Sequence, residues 1–179
     1  MSDIIVPSSW KNYLLELQKS FPTAVIGGGC LRDLWFDKPV KDIDIFICNT
    51  TNERQLDYIE GKILVKQTYN YGNLSNIEVT RVVDEGTRID GIPVELIFIN
   101  NPDVMGRFDF SICQIMYDGD LVEYTSEFLQ STITNNIKLL RCDNKKQFDR
   151  SMKRFDRLKE KYPEFIIDLN GFEHYSEEV

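Results

Sequence analysis

Apolar residues at Trp10, Leu14, Leu17 and Phe21 recur every three or four positions, the spacing of one helix face, and Pro22 stops the run. Ser8 or Ser9 stands where a capping side chain belongs. Ala24-Val25-Ile26 is a short apolar run that breaks into Gly27-Gly28-Gly29, which predicts a buried strand entering a tight turn. Leu31, Leu34 and Trp35 predict a short helix directly after the glycines, and Pro39 interrupts it. Ile43 to Ile47 predicts the next strand, and Thr51 to Ile59 a helix with Leu56 and Ile59 turned inward.

Ile77, Val79, Arg81 and Val83 follow the period-2 pattern of a half-buried strand. Asp84-Glu85-Gly86 and Asp90-Gly91 carry turn chemistry, so a meander leads to a strand at Val94 to Ile99. Ile112 to Tyr117 and Leu121 to Tyr124 flank Asp118-Gly119-Asp120 as a hairpin. Asn144 is placed to cap a long helix, with Gln147 three residues on to reach back. In that helix Phe148, Met152, Phe155 and Tyr162 form one stripe with Leu158 at its edge; after Pro163 the pattern fades into an acidic tail. The element order predicts an α+β fold with a mixed sheet, without a second core. Residues 1–142 are expected to form the head, and 143–179 a C-terminal helix and tail packed on the same domain.

Composition narrows the classes. The chain has 179 residues, 42% hydrophobic and 12% aromatic, enough for one globular core and against disorder as its main theme. It contains no run of 18 apolar residues, and Met1-Ser2-Asp3-Ile4 lacks the charge and apolar stretch of a secretory signal. Cys30, Cys48, Cys113 and Cys142 are far apart and His174 is the single histidine. A zinc site or disulfide framework is therefore not expected, and a reducing cytoplasm is. Net charge is −8, yet Lys138 to Tyr162 holds ten Lys and Arg against four Asp and Glu, a local +6, leaving −14 elsewhere.

The chemistry concentrates in Val25 to Phe46. Asp42 and Asp44 flank Ile43, so on a strand their carboxylates project from one face about 7 Å apart along the chain. Two such carboxylates repel unless a cation lies between them, and oxygen-only ligands favour Mg²⁺ or Mn²⁺ over zinc. Upstream, Gly28 and Gly29 let the backbone approach an anion at a helix start, and Arg32 can reach the same anion. A phosphate-cradling turn beside a divalent-cation site describes an enzyme that handles a nucleoside triphosphate.

Gly28-Gly29-x-x-Arg32-Asp33, a spacer of eight, then Asp42-x-Asp44 resembles the signature of the polymerase-β-like nucleotidyltransferase superfamily. It looks most like the catalytic head of class II CCA-adding enzymes and bacterial poly(A) polymerases. Arg107-Phe108-Asp109-Phe110-Ser111-Ile112 is similar to the RRDFT-I segment with Phe108 for an arginine, and Val94-Glu95-Leu96-Ile97 resembles the strand that carries a third acidic residue. Three departures stand out: Asp37 where the spacer usually has glycine, no EDxxR-type base-reading segment, and none of the helical neck, body and tail.

The resemblance implies a nucleotidyltransferase-type mixed β-sheet flanked by helices, and Mg²⁺- or Mn²⁺-dependent transfer of NMP from an NTP to an acceptor hydroxyl. Asp42 and Asp44 would hold two metals, with Glu95, or less favoured Asp109, as the third carboxylate. Gly28, Gly29 and Arg32 would bind the triphosphate, Asp109 would hold the catalytic strand or a ribose, and Asp33 would organise the turn. An RNA or tRNA 3′ end is the expected acceptor, tracked by a basic helix face of Lys146, Arg150, Lys153, Arg154, Arg157 and Lys161. The alternatives are a protein or small-molecule acceptor, or a non-catalytic nucleotide- or RNA-binding module. Trp35 and Tyr71 can stack on a base but fit the core better, and His174 reads as surface.

Overall fold

A computed structural model describes residues 4–48, 63–69, 77–83, 86–100 and 103–177, with the backbone alone at 63–69, 77, 78 and 83. Thr51 to Ile59, Tyr71, Asp84 and Glu85 lie outside the described residues.

Helix α1 (Ser8–Gln18) leads to β1 (Val25–Gly27), α2 (Gly29–Trp35) and β2 (Ile43–Cys48). Strands β3 (Ile63–Tyr69), β4 (Ile77–Val83), β5 (Arg88–Ile89) and β6 (Ile92–Ile99) follow, then β7 (Ile115–Tyr117) and β8 (Val122–Tyr124). Helix α3 (Ser126–Thr134), β9 (Asn136–Lys138), α4 (Lys145–Lys161) and β10 (Ile166–Asp168) complete the order. The main sheet runs β3-β4-β6-β2-β1-β7-β8, with β5 paired to β6. Within it β2 and β6 are parallel and the other neighbours antiparallel. The class is α+β with a mixed sheet flanked by helices, as the pattern predicts.

Burial explains the layout. Ile43, Ile45, Phe46 and Ile47 are all buried on β2, as expected for a central strand covered on both faces. Trp10 and Leu14 from α1, Phe21 just after it, and Phe148, Phe155 and Leu158 from α4 join the same apolar cluster. The Asp90-Gly91 turn between β5 and β6 has positive φ at both residues, 52° and 80°, the two-residue connection that matches strand twist.

Local details depart from the expectation. Neither Ser8 nor Ser9 caps α1: the Pro7 carbonyl accepts from the Trp10 and Lys11 N–H groups, and the Ser9 hydroxyl donates to Asp90 instead. Ser111–Cys113 forms a 3-10 turn before β7 rather than strand. The tail beyond Pro163 is structured, because β10 pairs in parallel with β9 and Phe165 is buried. On α4 the buried positions are Phe148, Ser151, Phe155 and Leu158, while Met152 is half-buried. The buried face is thus rotated by about 40° toward Leu158, relative to the apolar stripe. The Asn144 cap forms, accepting from Gln147 N–H at 2.8 Å, and Gln147 returns its side chain to the Asp143 N–H at 3.0 Å.

Helix α2 ends in the left-handed turn that glycine usually supplies. Asp37 has φ 54°, its N–H reaches the Leu34 carbonyl at 3.3 Å, and the Lys38 N–H reaches the Asp33 carbonyl at 2.8 Å. This is the Schellman pattern, and it explains why a glycine suits the spacer at this point.

Candidate active site

The acidic residues gather where β2 and β6 run side by side. Asp42 stands just ahead of β2 and Asp44 within it; both are half-buried while Ile43 between them is buried. In the parallel register Asp44 is the direct partner of Glu95, so the two carboxylates share a face. Next door, β4 pairs Arg81 with Ile97, two residues from Glu95, which brings the guanidinium onto that face as well. Arg81 Nη1 ion-pairs with Glu95 and stands 3.6 Å from Asp44 Oδ1. That Asp44 oxygen is buried and has no hydrogen-bond partner among the described residues.

The electrostatics follow. Burial raises the Asp44 carboxyl to about 7, Arg81 pulling it down against the push of Asp42 and Glu95. Burial, and then the charge of Glu95, also raises Asp42, with Lys41 and Arg81 opposing. Three carboxylates against one guanidinium leave an uncompensated negative charge, and an orphaned carboxylate oxygen is what a hard divalent cation takes. The donor set therefore fits Mg²⁺ or Mn²⁺. Among the described residues, however, no three His, Cys, Asp or Glu side chains are closed into a ready cage.

The glycine turn lies against this cluster. Gly28 has φ 77°, and its N–H donates to the Ile115 carbonyl at 3.0 Å. A Cβ on Gly29 would stand 3.1 Å from Arg32 Nη2, so the guanidinium packs directly over that residue. Cys30, in the first turn of α2, is buried; burial and the nearby Asp44 charge raise its thiol pKa. Turn and acidic pair are neighbours in space as well as in sequence.

The two remaining motif carboxylates serve the C-terminal helix. Asp33 is 3% exposed and accepts from Arg32 Nε at 3.2 Å, Tyr162 hydroxyl at 2.5 Å and Lys161 Nζ at 2.7 Å. Asp109 accepts from Ser151 at 2.7 Å and Arg154 at 2.8 Å, one on each carboxylate oxygen. These contacts give Asp109 partners on α4. Sequence reading also missed Arg81. Its signal was a charged residue at a position where the β4 alternation otherwise placed Ile77, Val79 and Val83.

The basic face divides accordingly. Lys146, Arg150, Lys153, Arg154 and Arg157 are exposed, and Arg154 and Lys161 ion-pair with Asp109 and Asp33. Trp35 packs edge-on against Tyr124 and Phe128 in the core, and His174 is exposed beside Tyr175.

This fold is of the nucleotidyltransferase type. A structure described as a tRNA-processing enzyme superposes with TM-score 0.60 at 15% identity, covering 98% of this chain and 48% of that one. The Thermotoga maritima CCA-adding enzyme complexed with tRNA gives TM-score 0.59 at 17% identity, covering 98% of this chain and 43% of that one. A CCA-adding enzyme complex with ATP gives 0.59 at 17%, covering 96% and 43%. The likeness is one of fold, and the chain spans less than half the length of these enzymes. No curated protein matches the chain. A family model described as Gabija anti-defense 2 family protein matches residues 7–135, and the chain belongs to that family.

Proposed function

We propose that this protein transfers a nucleoside monophosphate from an NTP to an acceptor hydroxyl. The observation that carries this reading is the pairing of Asp44 with Glu95 on one sheet face next to Asp42, with a buried Asp44 oxygen that accepts no hydrogen bond among the described residues. Mg²⁺ or Mn²⁺ held by these carboxylates would lower the acceptor hydroxyl's pKa and neutralise charge on the triphosphate. Gly28 and Gly29 let the main chain approach the phosphates, and Arg32, held by Asp33 over Gly29, supplies positive charge there. Asp33 and Asp109 keep α4 seated on residues 1–142, so 143–179 works as part of the head.

An RNA 3′ end is the acceptor favoured by the exposed Lys146, Arg150, Lys153 and Arg157 on an otherwise acidic chain. The tRNA complex of a fold neighbour agrees with that choice. A second reading draws on the family's name: NMP transfer to a hydroxyl on a component of the Gabija defence would oppose that defence directly. The four cysteines are free and buried, and among the described residues no helix is long and apolar enough to cross a membrane.

The test is incubation with each labelled NTP, Mg²⁺ and either total RNA or Gabija proteins, with Asp42→Asn and Asp44→Asn as controls. Label should enter RNA with the wild type and fall at least about 10²-fold with either variant. Label in protein would select the second reading. Label in neither would reject transfer and leave a nucleotide- or RNA-binding module.

A further inference from the structure

Arg81 occupies an unusual position. Its side chain reaches across the sheet face from β4 and touches Glu95 and Asp44 with the same nitrogen, Nη1. The engagement is unequal: Glu95 is held in a direct ion pair, while Asp44 Oδ1 at 3.6 Å is within ion-pair range of Nη1 but accepts no hydrogen bond among the described residues. A guanidinium shared in this way neutralises one charge and leaves the better-buried carboxylate oxygen unsatisfied.

We propose that Arg81 is a displaceable counter-ion that competes with the divalent cation for Asp44 and Glu95. The inference rests on the metal-dependent reading above and adds a residue to it. A divalent ion bound by Asp44 and Glu95 cannot share their oxygens with Nη1, because like charges at that separation repel and each oxygen has few lone pairs. The Arg81 side chain is 37% exposed, so a path toward solvent is open once the carboxylates are claimed. Without the metal, Arg81 keeps the repelling carboxylates together; with it, Arg81 turns outward. A positive group in that place sets a threshold for cation entry, and its removal lowers the threshold.

The test is Mn²⁺ binding to the full chain by calorimetry, with melting curves in EDTA and in Mn²⁺. Arg81→Gln should bind Mn²⁺ roughly 10–100-fold tighter than wild type, the range seen when groups around metal ligands are altered. Arg81→Lys, which keeps the charge, should stay near the wild type, and adding Asp44→Asn to Arg81→Gln should abolish the gain. Arg81→Gln should also melt lower than wild type in EDTA and gain more from Mn²⁺. Should Arg81→Gln bind Mn²⁺ no tighter while Asp44→Asn still abolishes binding and transfer, the competitor role is overturned and the transferase reading stands. Absence of Mn²⁺ binding in both wild type and Arg81→Gln removes the metal-dependent reading and this inference with it. An Arg81→Gln protein that is unfolded and not restored by Mn²⁺ makes Arg81 a structural ion-pair partner and also overturns the proposal.

Discussion

Tyr162 donates a 2.5 Å hydrogen bond to Asp33 across 129 positions of sequence, joining the last turn of the chain's longest described helix to the aspartate beside the glycine turn. Lys161 and Arg32 share the same carboxylate, so its charge is compensated inside the protein. Burial and the bond to Asp33 raise the Tyr162 phenol pKa, so it remains a donor through the neutral range.

Tyr162→Phe removes one donor from a buried carboxylate and leaves the rings of Phe36 and Phe165 in place around it. The expected loss is about 1–3 kcal/mol of stability, the cost of a bond to a charged group. Urea unfolding with an unchanged slope would check it. A loss under about 0.5 kcal/mol would show that Lys161 and Arg32 satisfy Asp33 by themselves.

Asp44 gives the metal-free protein a pH dependence. Its folded carboxyl lies near 7, above the usual carboxylate value near 3.9, so between these limits the folded state binds more protons than the unfolded one. This contribution to stability is therefore full below about pH 4 and is lost as pH rises toward 7, at no more than about 1.4 kcal/mol per pH unit. Asp44→Asn removes the titration. In EDTA the variant should gain stability relative to wild type as pH rises from 5 to 8, measured by melting at each pH. A constant difference would mean that the acid is not raised.

Arg150→Glu, Lys153→Glu and Arg157→Glu together reverse three exposed charges and spare the residues that hold Asp109 and Asp33. RNA affinity should fall, and the slope of log affinity against log salt should flatten by about two units, at roughly 0.7 per phosphate contact. NTP binding should not change. An unaltered salt slope would remove the RNA rail and favour the protein acceptor.

Asp37→Gly tests the C-terminal turn of α2. With φ at 54°, aspartate carries a strain that glycine lacks, partly offset by glycine's greater freedom when unfolded. The net effect should be a gain of about 0.5–1 kcal/mol, read from thermal unfolding. A loss would mean that the Asp37 side chain contributes more than its backbone costs.

The local grammar of this protein was written in short stretches of sequence. The Asn144 cap, the Asp90-Gly91 turn, the β2 strand and the Gly28-Gly29 break each depend on neighbours within a few positions, where backbone preference and periodicity act directly. The same reach paired Asp42 with Asp44, because strand geometry fixes the side of alternate residues. The Ser8 and Ser9 caps failed for the same local reason, since Pro7 begins the helix without a side-chain bond.

Partnerships across the fold had no such signal. Glu95 became the neighbour of Asp44 through the parallel register of β2 and β6, and Arg81 entered through the antiparallel register of β4. Asp109 meets Ser151 and Arg154 through the packing of α4, whose buried face includes Ser151 and Leu158 while Met152 stays half-buried. A period marks which residues can face inward; it does not say which inward residue meets which. Register and packing make that choice, because they sum contacts between segments many positions apart in the chain.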